Sequence, residues 1–144
     1  MIAVDSNILV YAHREDSPWH DVAYTCIVQL AVGRGPWAIP WPCIHEFLAI
    51  VTHARIYAPP TPLETAIDQV EAWFESPSLV LLSESENYWE QLRASIRAGR
   101  VTGPQVHDAR VAALCLEHGV AELWTVDRDF GRFPELKVRN PLVA

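Results

Sequence analysis

Short apolar runs alternate along this chain with longer stretches in which apolar residues recur at helical spacing. Met1-Ile-Ala-Val4 reads as a short buried strand and Asn7 to Ala12 as a brief helix. Ser17-Pro18 then opens a longer helix, with Ser17 as N-cap and Pro18 as first helical residue. Val22, Cys26, Ile27, Leu30 and Ala31 give that helix its apolar stripe, and Gly33 and Gly35 end it. Trp37 to Ile39 is the next strand, followed by Pro40-Trp41-Pro42 and a helix to about Arg55. Ala58-Pro-Pro-Thr-Pro62 is a loop, and Thr61-Pro-Leu-Glu64 is a capping box that starts a helix bearing Ile67, Val70, Trp73 and Phe74.

Leu79 to Leu82 is a third strand, and Ser85 opens a helix through Tyr88, Trp89, Leu92 and Ile96 that ends near Gly99. Thr102-Gly-Pro-Gln105 is a second capping-box pattern, and its helix runs to Glu117-His-Gly119, where Gly119 is the stop. Leu123 to Val126 is the fourth strand and Lys137-Val-Arg139 a short fifth. Strands alternating with helices of about 10–15 residues imply an α/β fold with one parallel sheet flanked by helices. With 144 residues and neither repeats nor a linker, the expectation is a single domain over 1–144.

Composition narrows the class. Half the residues are apolar and a fifth charged, which is globular and not disordered. No apolar stretch approaches the ~20 residues of a membrane span, and the first apolar run is broken at Asp5 without the order of a signal peptide. A cytoplasmic protein is expected. Three cysteines (Cys26, Cys43, Cys115) form no Cys-x-x-Cys pair and read as small buried thiols, not zinc ligands or disulfides. The net charge of −7 weighs mildly against bulk nucleic-acid affinity, although ten of the eleven basic residues are arginines, suited to forked phosphate contacts. Trp37, Trp73, Trp89 and Trp124 sit in core-like patterns; Trp19 and Trp41 are expected near the surface.

The chemistry lies in four acids, Asp5, Glu46, Asp108 and Asp127. Asp5 and Asp127 end apolar strands, while Glu46 and Asp108 fall in early turns of two helices, Asp108 in the second turn. In an open parallel sheet such positions face one crevice. Carboxylates converging there repel one another unless a cation holds them, and oxygen-only ligation suits Mg²⁺ or Mn²⁺. Asp129 could share or replace the role of Asp127. Ser6 and Asn7 follow Asp5 at once, and they either hydrogen-bond the carboxylates or, in the case of Ser6, cap the brief helix. The six histidines show no shared ligating spacing; His45 and His107 each precede one of the acids and read as flanking residues. A haloacid-type phosphatase would carry a second aspartate where Asn7 stands. A receiver domain would carry an aspartate after the third strand and a lysine ending the fifth, and neither is present.

The pattern resembles the PIN-domain ribonucleases, in particular the VapC-type toxins of bacterial toxin–antitoxin modules. The residues that carry the resemblance are Met1-Ile-Ala-Val-Asp-Ser-Asn-Ile-Leu-Val-Tyr-Ala12, Pro42-Cys-Ile-His-Glu-Phe47, Val106-His-Asp-Ala-Arg-Val-Ala-Ala113 and Thr125-Val-Asp-Arg-Asp-Phe-Gly-Arg-Phe133, with Asn140-Pro-Leu142 at the end. The stretch from about 56 to 103 matches only in its helical pattern. The resemblance implies a three-layer α/β/α sandwich with a central, mostly parallel sheet of four to five strands. It implies a Mg²⁺- or Mn²⁺-dependent endoribonuclease, usually a homodimer held inactive by a cognate antitoxin. The family's acidic quartet maps onto Asp5, Glu46, Asp108 and Asp127, and its small polar residue and asparagine map onto Ser6 and Asn7. Asp5 and Asp108 would hold the metal, with Glu46 and Asp127 completing the cluster directly or through water. Two rivals stand beside this reading: a PIN-type nuclease of RNA processing, and a module that binds RNA or a partner without cutting.

Overall fold

The computed structural model describes residues 1–143. In chain order the elements are β1 (Ile2–Val4), α1 (Ser6–His13), α2 (His20–Val32), β2 (Trp37–Pro40), α3 (Trp41–Val51), α4 (Leu63–Phe74), β3 (Leu79–Leu82), α5 (Tyr88–Gly99), α6 (Val106–Glu117), β4 (Glu122–Trp124) and β5 (Val138–Arg139). Short 3₁₀ turns lie at Gly103–Gln105 and Arg128–Arg132. The five strands form one sheet in the order β3-β2-β1-β4-β5, with every pairing parallel. Trp37, Ala38, Ile39 and Pro40 are all buried, as a strand covered by helices on both faces requires. The result is the α/β sandwich expected from the alternation of elements. Among the described residues no helix is long and apolar enough to cross a membrane.

Strand order fixes where chemistry can occur. The chain leaves β1 toward β2 on one side and reaches β4 on the other. The crevice beyond the carboxyl ends of β1 and β4 is therefore the switch point at which open α/β sheets present ligands. The Asp5 backbone N–H donates to Trp124 O at 3.0 Å and ties the two strand ends together.

Several local expectations are corrected, most of them by tertiary packing. Ser17 does not cap α2; its hydroxyl accepts from Trp19 N–H in a turn, and the helix begins at His20. The buried face of α2 is Ala23 and Ile27, with Leu30 and Ala31 packed beside it, while Val22 lies one position off that stripe and is exposed. Neither capping box forms. The Thr61 hydroxyl is taken by His13 Nε2 at 3.1 Å and Arg14 Nη1 at 3.3 Å, contacts from the end of α1 that displace a local cap. Gln105, the partner expected for Thr102, instead accepts from Arg132 Nη1 at 2.7 Å. The helix expected to reach Arg55 ends at Val51. Trp89 is 60% exposed, because α5 faces the interior with Tyr88, Leu92, Ser95, Ile96 and Gly99, and Trp89 stands one residue out of that series. Trp37, Trp73 and Trp124 are buried as expected. At Gly99 a Cβ would stand 2.7 Å from the Phe133 ring, so this close approach of α5 excludes a side chain. All three cysteines are free thiols, two of them buried.

Candidate functional site

Asp5 leaves β1 in extended conformation and caps α1, its Oδ1 accepting from the Ser6 N–H at 2.7 Å. The cap expected of Ser6 thus belongs to the carboxylate before it, which frees the Ser6 hydroxyl. That hydroxyl donates to Glu46 Oε1 at 2.7 Å and lies 3.4 Å from Asp5 Oδ1, a bridge between two acids 40 or more residues apart. Asp5 Oδ2 accepts from Thr125 Oγ1 at 2.7 Å and from Asn7 Nδ2 at 3.3 Å. The buried Cys43 thiol, on the first turn of α3, donates to Asp5 Oδ1 at 3.4 Å. Four donors from three segments, the Ser6 and Asn7 groups of α1, Cys43 of α3 and Thr125 after β4, therefore fix one carboxylate that is 5% exposed. Burial pushes its pKa above the ordinary carboxylate value; the bonds from Thr125 and Ser6 pull it down, and the charge of Glu46 raises it again.

Asp127 lies beyond β4, which closes at Trp124 instead of reaching Val126. Its N–H donates to Thr125 Oγ1 at 3.0 Å. Its Oδ1 accepts the Asp129 N–H at 2.9 Å and so caps the 3₁₀ turn at Arg128–Arg132. Asp108 is in the first turn of α6, earlier than expected, since the helix proper starts at Val106. Carboxylate oxygens of Asp108, Asp127 and Asp129 lie within 4.8 Å of one another. Asp108 is pushed up to about 6 by burial first, then by the charges of Asp127, Asp5, Asp129 and Glu46. One carboxyl group thus senses every acid singled out in the sequence.

The structure brings the acids together in two tiers. Asp108, Asp127 and Asp129 form a tight group, while Asp5 and Glu46 sit against it, with part of their lone-pair capacity already committed to Ser6, Asn7, Thr125 and Cys43. Asp129 is closer to the centre of the cluster than its secondary place in the sequence suggests. Among the described residues none of the five acids has a salt-bridge partner; the ion pairs are Arg14–Asp16 and Lys137–Glu122, both elsewhere. His45 and His107 are exposed beside Glu46 and do not join the group of ligating atoms. An all-oxygen, uncompensated donor set of this kind fits a hard divalent cation such as Mg²⁺ or Mn²⁺ and not a soft one.

Two contributors were missed from the sequence, Thr125 and Cys43. Thr125 had a signal: it stands two residues before Asp127 at a strand end and so points to the same side. Cys43 had none, because a buried thiol in an apolar helix is ordinary packing.

The model of the PIN domain family matches residues 2–136. The chain belongs to the PIN-domain family. This PIN domain is 31% identical over 137 residues to Ribonuclease VapC48 of Mycobacterium tuberculosis, covering 95% of this chain and 94% of the relative. It is 33% identical over 142 residues to Ribonuclease VapC43 of the same organism, covering 99% and 96%. Among solved structures, VapBC2 from Rickettsia felis, bound to a DNA fragment from its promoter, superposes with TM-score 0.67 at 22% identity, covering 96% of this chain and 98% of that one. VapC20 of Mycobacterium tuberculosis, a sarcin–ricin loop cleaving toxin, superposes with TM-score 0.66 at 14% identity, covering 91% and 93%. At these identities the two superpositions establish the PIN fold.

Proposed function

We propose that this PIN domain is a divalent-metal-dependent endoribonuclease, the toxin half of a toxin–antitoxin pair, active in the cytoplasm as one domain over 1–144. The observation that carries the reading is the set of five uncompensated acids, Asp5, Glu46, Asp108, Asp127 and Asp129, in one crevice at the switch point of the sheet. The ribonuclease names of VapC48 and VapC43, relatives matched over nearly their whole length, supply the substrate class. The VapBC complexes among the structural neighbours support an antitoxin as partner, and a homodimer is the expected assembly.

Asp108, Asp127 and Asp129 would hold Mg²⁺ or Mn²⁺, with Asp5 and Glu46 completing the site directly or through water; the closeness of the three carboxylates supports this. Such an ion, when bound, polarises a phosphodiester and lowers the pKa of an attacking water. The chain supplies position: Thr125 and Asn7 hold Asp5 Oδ2, the Ser6 N–H holds Oδ1, and the Ser6 hydroxyl sets Glu46. A carboxylate anchored by several donors loses little freedom on ligation, as preorganised sites require. Water as nucleophile leaves a 5′-phosphate and a 3′-hydroxyl on the products.

Sequencing of RNA 5′ ends after brief expression tests this proposal. New ends that ligate as 5′-phosphates, and that vanish with Asp5→Asn, are expected. A transcriptome unchanged by expression of the folded protein would contradict it.

A further inference from the structure

The acidic crevice explains hydrolysis but leaves open how a chain of net charge −7 holds a polyanion. Beside the crevice, α3 and α6 present matching faces. On α3 the face is Pro42, His45, Glu46 and Ala49; on α6 it is His107, Arg110 and Val111. Both follow the i, i+3, i+4 spacing that places side chains on one side of a helix. Between them lies a cavity of about 250 Å³ that begins at Glu46, one of the acids of the site. A second cavity, of about 330 Å³, continues it past Trp41 to Ser83 and Glu84 and shares the wall made by Pro42 and Arg110. The first falls a little short of the roughly 300 Å³ at which small-ligand sites begin, and the second passes it.

Arg110 stands at the junction of the two cavities. It is half-buried and, among the described residues, pairs with no carboxylate within 4 Å, although Glu84 lines the same groove. A partly desolvated guanidinium without a counter-charge is costly unless an anion reaches it. Its planar fork suits a phosphate. The α3 wall is aromatic: the rings of Trp41 and His45 are 6.3 Å apart and tilted by 35°, and Phe74 meets Trp41 edge-on at 5.9 Å. Aromatic surfaces next to a phosphate-binding cation are how single-stranded RNA is held with its bases splayed from the strand.

We infer that the α3–α6 groove is the substrate subsite adjoining the cut: Arg110 holds a phosphate flanking the scissile one, and Trp41 with His45 receives the base attached to it. Arg110 is a binding residue for single-stranded RNA, and the groove sets base preference next to the cut. This inference rests on the ribonuclease reading, and it gives the two flanking histidines a role as groove walls and not as ligands.

The test uses the full chain and a short single-stranded RNA of randomised sequence. Binding is followed by fluorescence anisotropy in Ca²⁺ without Mg²⁺, and cleavage in Mg²⁺. Arg110→Gln is expected to weaken binding about tenfold. It should also flatten the slope of log affinity against log salt by roughly 0.7, one phosphate contact fewer. Arg110→Lys should restore the slope. His45→Ala should change the base preference read from the cleaved ends, and thermal melts confirm that each variant is folded. Affinity and salt slope unchanged in folded Arg110→Gln would overturn the subsite whether or not the chain cuts. Absence of cleavage by the wild type in Mg²⁺ and Mn²⁺, with the Arg110 effect on binding intact, would overturn the nuclease reading and leave the groove standing.

Discussion

The Thr125 hydroxyl donates to Asp5 Oδ2 at 2.7 Å and accepts from both Asn7 Nδ2 and the Asp127 N–H at 3.0 Å. A single buried oxygen thereby couples an acid at the end of β1 to another beyond β4. Asn7 Oδ1 completes the link by accepting the Val126 N–H at 3.3 Å. The relative placement of the acids is therefore set by a closed hydrogen-bond network and not by the strands alone.

Replacing Thr125 by valine keeps its shape and removes the network's centre. Metal affinity or cleavage rate should fall about 10–100-fold, the usual effect of losing a partner behind a ligand. Thr125→Ser should retain most of both. Titration of cleavage with Mn²⁺ checks this; equal activity in the valine variant would show that Thr125 acts only in packing.

Asp108 gives a pH signature in the metal-free protein. Its folded pKa of about 6 lies above its ordinary value of 3.8, so between those values the folded state holds more protons than the unfolded. The contribution of Asp108 to stability should therefore be complete below its ordinary value and be lost as pH rises through about 6, the reverse of the ordinary acid-unfolding trend for a paired carboxylate. Asp108 is only partly buried and so open to solvent screening, and the effect is discounted to about 1 kcal/mol, or roughly 3 °C in Tm. In EDTA at pH 7, Asp108→Asn should melt above the wild type. Mg²⁺ should raise the wild-type midpoint more than the mutant's. A mutant that melts lower in EDTA would make Asp108 a structural hydrogen-bonding residue.

Phe47 follows Glu46 on α3 and is fully buried, edge-on to Trp73 at 4.7 Å and to His13 at 5.4 Å. It joins α1, α3 and α4 beneath the site. Phe47→Ala should cost about 3–5 kcal/mol by chemical denaturation, as large-to-small changes in aromatic cores do. A loss under about 1 kcal/mol would mean that the helices close over the cavity.

The sheet and its helices were legible in the alternation of apolar runs, because β-period and helical-period segments are well separated along this chain. The acids were legible for the same reason: Asp5 ends a run that must be buried, and Asp108 stands among apolar and small residues. The helix starts were not. Ser17, Thr61 and Thr102 are sound local caps, but a local turn to Trp19 uses the Ser17 hydroxyl, and tertiary contacts from His13 and Arg132 claimed Thr61 and the partner of Thr102. The closeness of Asp129 to Asp108 depends on a 3₁₀ turn that no periodicity announces. The groove face His107-Arg110-Val111 has helical spacing, but its meeting with α3 depends on how the two helices pack.

Asp129 and Asp127 differ in what they do besides ligation. Asp127 caps the turn that carries Asp129, so Asp127→Ala disturbs both positions, whereas Asp129→Ala leaves the cap in place. Calorimetric Mn²⁺ binding should weaken more in the first variant than in the second. The opposite order would place Asp129 at the centre of the site.

The central claim, that these carboxylates hold a cation that cuts RNA, is tested most directly by incubating the purified chain with single-stranded RNA in Mn²⁺, in EDTA, and in Mn²⁺ with Asp108→Asn. Cleavage to 5′-phosphate ends by the wild type in Mn²⁺ alone is the expected result. Undiminished cutting in EDTA, or by the folded Asp108→Asn protein, would contradict it.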